Sequence, residues 1–182
     1  MIISTNPDPN RSEFNLLLKS TVSELNIHAK KSPKKISTLL GRNLEPYVEK
    51  VMVDLAVGTR FENSIEYIGG QKFPDIVAKK YYGIEVKTTK QGHWRTTGNS
   101  VLESTRVDDV ERIFMLFAKL ASPIEFRCRP YEEVLSEVVV THSPRYLIDM
   151  NLEQGKTIFD KIKIPYDTLR KKENPIRPIV DY

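Results

Sequence analysis

The chain has one cysteine, Cys128, in 182 residues. That count excludes an internal disulfide and any multi-cysteine zinc site, and it leaves Cys128 as an inert, half-buried thiol. Apolar stretches are short, and none approaches the roughly 18 residues that a membrane-spanning helix requires. The opening MIISTNPDPNRSEFN has no basic segment followed by an apolar one, so no secretory signal is expected. A glycine-rich phosphate loop is missing as well, because VGTRFEN lacks the Gly-Lys-Ser/Thr ending. GNS at 98–100 is no nucleophile elbow, and no Ser/His/Asp arrangement stands in a recognisable context. A cytoplasmic protein without nucleotide-driven or serine-hydrolase chemistry is expected.

The composition is that of one ordinary globular domain, 40% apolar and 29% charged, and long enough to bury a core. The net charge of +4 leans towards a polyanionic partner. Three local clusters, KKSPKK at 30–35, KK at 79–80 and RKKENPIRP at 170–178, make nucleic acid a reasonable one.

RSEFNLLLKSTVSELNIHAK carries Phe14, Leu17, Leu18, Val22, Leu25 and Ile27 at helical spacing and stops at Pro33. KKISTLLGR predicts a short helix. LEPYVEKVMVDLAVG predicts another, with Pro46 in its first turn and Gly58 past its end. Three β-type runs follow at 64–70, 75–80 and 82–89, joined tightly enough to be adjacent antiparallel strands. RIFMLFAKL (112–120) suits strand or helix by periodicity; its Phe and Ile and the following SPIEFRCRP favour a strand and hairpin. YEEVLSEV predicts a helix, VVVTH a strand, and TIFDKI and PYDTLRKK short helices. The closing NPIRPIVDY shows no core-closing element. Residues 1–40 form an N-terminal helical region and 41–182 the remainder of one compact α/β domain, built on a central mixed sheet of four or more strands flanked by helices.

The runs at 75–80 and 82–89 contain ionisable residues where buried strands are ordinarily silent. Side chains alternate along a strand, so Glu85, Lys87 and Thr89 share a face opposite Ile84, Val86 and Thr88. Asp75 shares a face with Val77. If the two strands pair, Asp75 lies beside Glu85 and Lys87 at one end of the sheet. Two carboxylates held close repel one another, and burial raises the cost of their charge. A divalent cation removes both penalties, and oxygen ligands of this kind suit Mg2+. Lys87 would then stand beside the ion, able to hold or deprotonate an attacking water and to steady phosphate charge.

Pro74-Asp75, followed by Glu85-Val86-Lys87, resembles the PD-(D/E)XK nuclease superfamily. The other Pro-Asp, Pro7-Asp8, sits in a turn-rich terminus with no partner strand. GRNLEPYVEKVMVDL is similar to the superfamily's first core helix, which often supplies another acidic residue; Glu45 fits that position best, with Glu49 the alternative. The resemblance implies a restriction-endonuclease-like core and metal ligation by Asp75, Glu85, the Val86 carbonyl and Glu45. The ion would be Mg2+, with Mn2+ able to substitute, and Lys87 would complete the catalytic set. The stretch GHWRTTGNSVLESTRVDDVERI is similar to the segment after the motif in a group of type II restriction endonucleases. It offers His93, Trp94, Arg95, Thr96, Thr97, Asn99, Ser100 and Arg106 as DNA contacts. The plainer reading of that stretch is an ordered polar loop with Trp94 against the core. His142 ends an apolar run and is taken as core-edge structure, with Arg145 as a phosphate contact. The implied function is Mg2+-dependent endonucleolytic cleavage of double-stranded DNA by a homodimer of restriction type. The alternatives are a repair, recombination or junction-resolving nuclease of the same superfamily, and a non-catalytic nucleic-acid-binding module.

Overall fold

The computed structural model describes residues 10–39, 43–70, 72–101, 107, 109–140 and 142–182. The chain begins with helix α1 (Arg11–Lys31), whose buried stripe runs through Phe14, Leu17, Leu18, Thr21, Leu25 and Ala29. Pro33 forces a new start, and the short α2 (Pro33–Ser37) follows. Helix α3 (Leu44–Ala56) buries Leu44, Val48, Val51, Met52 and Ala56. Gly58, at φ +74°, adopts the left-handed conformation that commonly follows a helix end.

Five strands build a mixed sheet: β1 (Ile65–Tyr67), β2 (Ile76–Ala78), β3 (Tyr82–Thr89), β5 (Arg112–Lys119) and β6 (Glu125–Pro130), in that spatial order. β1, β2 and β3 are antiparallel neighbours, β3 and β5 run parallel, and β5 and β6 form an antiparallel pair. A second, three-stranded antiparallel sheet has the order β4 (Arg95–Ser100), β8 (Pro144–Asp149), β7 (Leu135–Val140). The short helices α4 (Ile158–Lys161), α5 (Tyr166–Leu169) and α6 (Arg177–Val180) complete the chain.

Each face of the central sheet has its own core. One is closed by α1 and α3, which bury Phe14, Leu25, Val48 and Met52 against Ile76, Ile84, Val86, Phe114 and Leu116. The other is closed by the second sheet and the C-terminal helices, which bury Trp94, Tyr146, Ile148, Phe159 and Leu169 against Val77, Ile113, Met115 and Phe117. β5 is covered on both sides, which is why RIFMLFAKL shows no alternation and its periodicity fits either element. The fold is therefore α/β, a mixed five-stranded sheet plus a second sheet, flanked by helices. Among the described residues no helix is long and apolar enough to cross a membrane.

Four expectations require correction. YEEVLSEV is a single 3-10 turn, Tyr131–Glu133, followed by β7 rather than a helix. Tyr131, Val134 and Leu135 are buried as a helical stripe would have them, but pairing with β8 and the Val138–Val140 run decides for strand. The polar stretch after β3 is not only loop, since it contains β4. Arg170, counted with a basic surface cluster, is buried in an ion pair with Glu111 at 2.9 Å, the side chains 3% and 1% exposed. The closing stretch does contribute to the core, through Ile179.

The β2–β3 connection is a tight turn closed by the Tyr81 N–H donating to the Ala78 carbonyl at 3.1 Å. Its central residues, Lys79 and Lys80, both have left-handed φ, 53° and 52°. Such turns favour Asn-Gly, and side chains with a Cβ are strained there. The double substitution Lys79→Asn/Lys80→Gly is expected to stabilise the protein by about 1 kcal/mol, read by urea denaturation. A loss of stability would mean that contacts of the lysine side chains outweigh the turn geometry.

Candidate active site

The register of β2 on β3 pairs Ile76 with Ile84. One step further along the antiparallel ladder sets Asp75 opposite Glu85, on the same face, as the alternation of the two strands requires. Backbone contacts fix Asp75 from two sides. Its side-chain Oδ2 accepts the Val86 N–H at 2.7 Å, and its carbonyl accepts the Ile68 N–H at 2.8 Å. The approach depends on Gly83: a Cβ there would stand 2.3 Å from Pro74 Cγ, a rigid ring atom immediately before Asp75.

Glu85 is 2% exposed. Its Oε1 contacts the Lys87 ammonium; its Oε2 is buried without a hydrogen-bond donor among the described residues, although the Asp75 carboxyl lies close enough to share a proton with Glu85. A buried carboxylate oxygen left in that condition is costly. Glu45, in the first turn of α3, accepts a 2.9 Å hydrogen bond from the Tyr67 hydroxyl at the end of β1. Its charge acts on both Asp75 and Lys87. The helix layer thus supplies one carboxylate, and the sheet supplies two carboxylates and the lysine. Glu49 has Asp54 as its charged neighbour, and burial followed by that charge raises its pKa.

The electrostatics follow from this crowding. Burial pushes Asp75 up to about 6; the Val86 N–H and Lys87 oppose the shift, and Glu45 adds to it. Burial pushes Glu85 up to about 8, with Lys87 opposing and Asp75 adding. Burial alone would lower the Lys87 pKa, but Glu85, Asp75 and Glu45 outweigh it, so the ammonium is held more tightly than in an ordinary lysine. Three carboxylates against one ammonium leave a surplus of negative charge that protons or a cation must neutralise. Among the described residues no group of three or more His, Cys, Asp or Glu side chains is drawn together as a ready-made metal cage. The donors that do meet are the carboxyls of Asp75 and Glu85, and the buried Glu85 Oε2 has no donor among the described residues. A small donor set of this kind suits Mg2+, which keeps several of its own waters.

The structure brings Asp75, Glu85 and Lys87 together, sets the charge of Glu45 within electrostatic reach from the helix side, and disperses the downstream candidates. His93 is exposed; its ring contacts Gln91, and its Nδ1 accepts the Arg95 N–H at 3.2 Å. Trp94 lies in the core at 5% exposure, so its ring is not presented as a contact surface. Arg95 is exposed but pairs with Asp149 at 2.7 Å. Thr97 is exposed on β4, Thr96 and Asn99 are half-buried, and the Ser100 hydroxyl donates to the Pro144 carbonyl at 3.3 Å. Arg106 lies outside the described residues. His142 and Arg145 are both exposed. Sequence reasoning missed Tyr67, which holds Glu45, and Gly83, which admits Pro74. Neither carries a signal until the packing is known.

Two expectations follow. Between the ordinary carboxylate value near 4 and about 8, the folded state retains protons on Asp75 and Glu85 that the unfolded chain has released. Stability in EDTA therefore falls as pH rises through that window. Glu85→Gln removes the upper part of the slope, and the variant should melt several degrees above the parent at pH 8, as read by thermal denaturation. A flat profile in the parent would contradict the crowding. Gly83→Ala, which alters no ionisable group, should cost 1–3 kcal/mol by forcing Pro74 away from its position, measured by chemical denaturation.

No protein-family model matches the chain, and none of the curated proteins compared with it is significantly similar.

Proposed function

We propose that this protein is a Mg2+-dependent endodeoxyribonuclease of restriction type, built on a restriction-endonuclease-like core of the PD-(D/E)XK kind. One observation supports the reading above all others. Asp75, Glu85 and Lys87 meet, with the charge of Glu45 in electrostatic reach, around a surplus of negative charge and a Glu85 oxygen buried without a donor among the described residues.

Asp75 and Glu85 would hold the ion with the Val86 carbonyl, and Glu45 would support from the helix side. Bound there, Mg2+ polarises a phosphoryl oxygen and lowers the pKa of a bound water. The residues of the chain do the rest. The Val86 N–H fixes one oxygen of Asp75 and so sets the direction of the other. Lys87, kept protonated by its carboxylate neighbours, donates hydrogen bonds and charge rather than accepting a proton. Its place is against a phosphate oxygen or the attacking water as the new P–O bond forms and the ester P–O bond breaks. Tyr67 holds Glu45 in reach of the pair. The substrate is double-stranded DNA, cut by a homodimer.

A second reading has one observation in its favour: the Lys87–Glu85 contact is also what a non-catalytic ion pair would look like. In that case the protein binds nucleic acid without cutting it, and it takes up no Mg2+ at Asp75 and Glu85.

Incubation with plasmid DNA in Mg2+, against an EDTA control, tests both. Metal-dependent fragments with mappable ends are expected. Lys87→Ala should bind DNA as the parent does while cleaving at least ~100-fold more slowly in single-turnover assays. Cleavage by that variant at the parental rate would remove Lys87 from the chemistry. Salt-sensitive binding without cutting, and without Mg2+ uptake by calorimetry, would establish the second reading.

A further inference from the structure

Trp94 is the single tryptophan of the chain, and it is buried. Two cations lie over its ring: the Arg127 guanidinium at 4.0 Å from the centroid and the Lys119 ammonium at 5.2 Å. Phe117 packs beside it, ring centroids 5.8 Å apart. An indole with one face given to a guanidinium holds that group flat and at fixed height.

The sheet register relates this stack to the candidate active site. Lys87 on β3 pairs with Phe117 on β5, and Phe117 pairs with Arg127 on β6. Direct neighbours across strands project to the same face, so Arg127 emerges on the face that carries Glu85 and Lys87. Two inter-strand steps separate them, about 10 Å.

Arg127 is also underused. A guanidinium has five N–H donors, yet the hydrogen bond from Nη1 to Asn151 Oδ1, at 2.6 Å, is the only one it makes among the described residues. Lys119 pairs with Glu125 at 2.7 Å, and the Glu125 side chain is 41% exposed. The pull of Lys119, joined by the charge of Arg127, keeps the Glu125 carboxyl below its usual range. Arg95 and Asp149 next to the stack neutralise one another. The local sum is Arg95, Lys119 and Arg127 against Glu125 and Asp149, three positive charges to two negative.

We propose that Arg127, braced on Trp94, docks a backbone phosphate of the nucleic acid a few nucleotides from the one at Lys87, with Glu125 as the carboxylate that competes for the same cations. The site deepens the nuclease reading and rests on it. Trp94 contributes as a pedestal and makes no contact with a base. The planar fork of Arg127 meets two phosphate oxygens, and its held orientation spares the entropy of ordering a free arginine.

The full-length protein in EDTA, titrated with a short DNA duplex, tests the assignment without any cutting, and Trp94 emission reports the event directly. The duplex should change the emission of the parent. Arg127→Ala should weaken duplex binding about tenfold and reduce the salt dependence by about one phosphate contact, with most of the emission change lost. Arg127→Lys, which keeps the charge and loses the fork, should fall between. Glu125→Gln should tighten binding several-fold, an effect that a purely structural stack would not give. Lys50→Ala, which removes an exposed lysine outside the basic clusters, should lose clearly less than Arg127→Ala; equal losses would mean bulk charge alone and overturn the site. Parental binding by Arg127→Ala at parental melting temperature would overturn it too and leave the nuclease reading standing. Failure of the parent to bind the duplex at all would remove both.

Discussion

Crowded carboxylates govern the chemistry of this molecule. Asp75, one residue before β2, and Glu85 on β3 act on one another's charge, with Glu45 close enough to add its own. Among the described residues only Lys87 answers them with a positive charge. At neutral pH the protein has two ways to relieve that imbalance. It can keep a proton, as the elevated Glu85 does up to about pH 8, or, under the proposed reading, take a cation. A proton satisfies one oxygen, whereas a divalent ion satisfies oxygens of both groups and leaves them charged for further ligands. The unpartnered Glu85 Oε2 marks where the first solution is incomplete.

The fold sustains this arrangement because the ionisable groups lie where two cores meet. The α1–α3 side buries Val86, next to Glu85 and Lys87, and the second-sheet side buries Met115 and Phe117, their neighbours across the ladder. The strand carrying Glu85 and Lys87 is thereby clamped from both sides, and its backbone is not free to swing the like charges apart. The Val86 N–H holds Asp75 to that same strand. Gly83 lets Pro74 close on it where any Cβ would intrude. Repulsion is held in place by packing that none of the charged residues supplies.

This division explains what was legible in the sequence. Strand alternation alone places Glu85 and Lys87 together, and antiparallel pairing brings Asp75 beside them, so the site was readable from GIEVKTT and DIVA. The helix stripes were readable too, from Phe14 to Leu25 and from Val48 to Met52. The second sheet was readable only in part, through the VVV of β7. RTTGNS has no apolar alternation, because β4 hides Gly98 rather than a large side chain: a Cβ there would stand 2.9 Å from Ile148 Cδ1. YEEVLSEV carries a helical stripe that tertiary pairing overrides. Arg170 looks like surface in a basic run, and only its partner Glu111, 59 positions away, shows otherwise. Local patterns reveal what a residue's own element demands and miss what a distant partner imposes.

Under the proposed nuclease reading, Trp94 serves recognition while staying buried. A tryptophan followed by arginine, threonines and asparagine invites a reading as a base-stacking platform. Its burial in the second core rules that geometry out and moves the significance of the ring to the cations above it. Under the proposed nuclease reading the backbone meets two rigidly held cations, on strands either side of β5. Lys87 is held by carboxylates at one end and Arg127 by an indole at the other, with Phe117 between them in register. Both cations are fixed by groups that the substrate does not touch, and each still has donors to offer. Preorganisation of this kind favours a nucleic-acid backbone that presents phosphates at matching intervals, and it does so without reading a base.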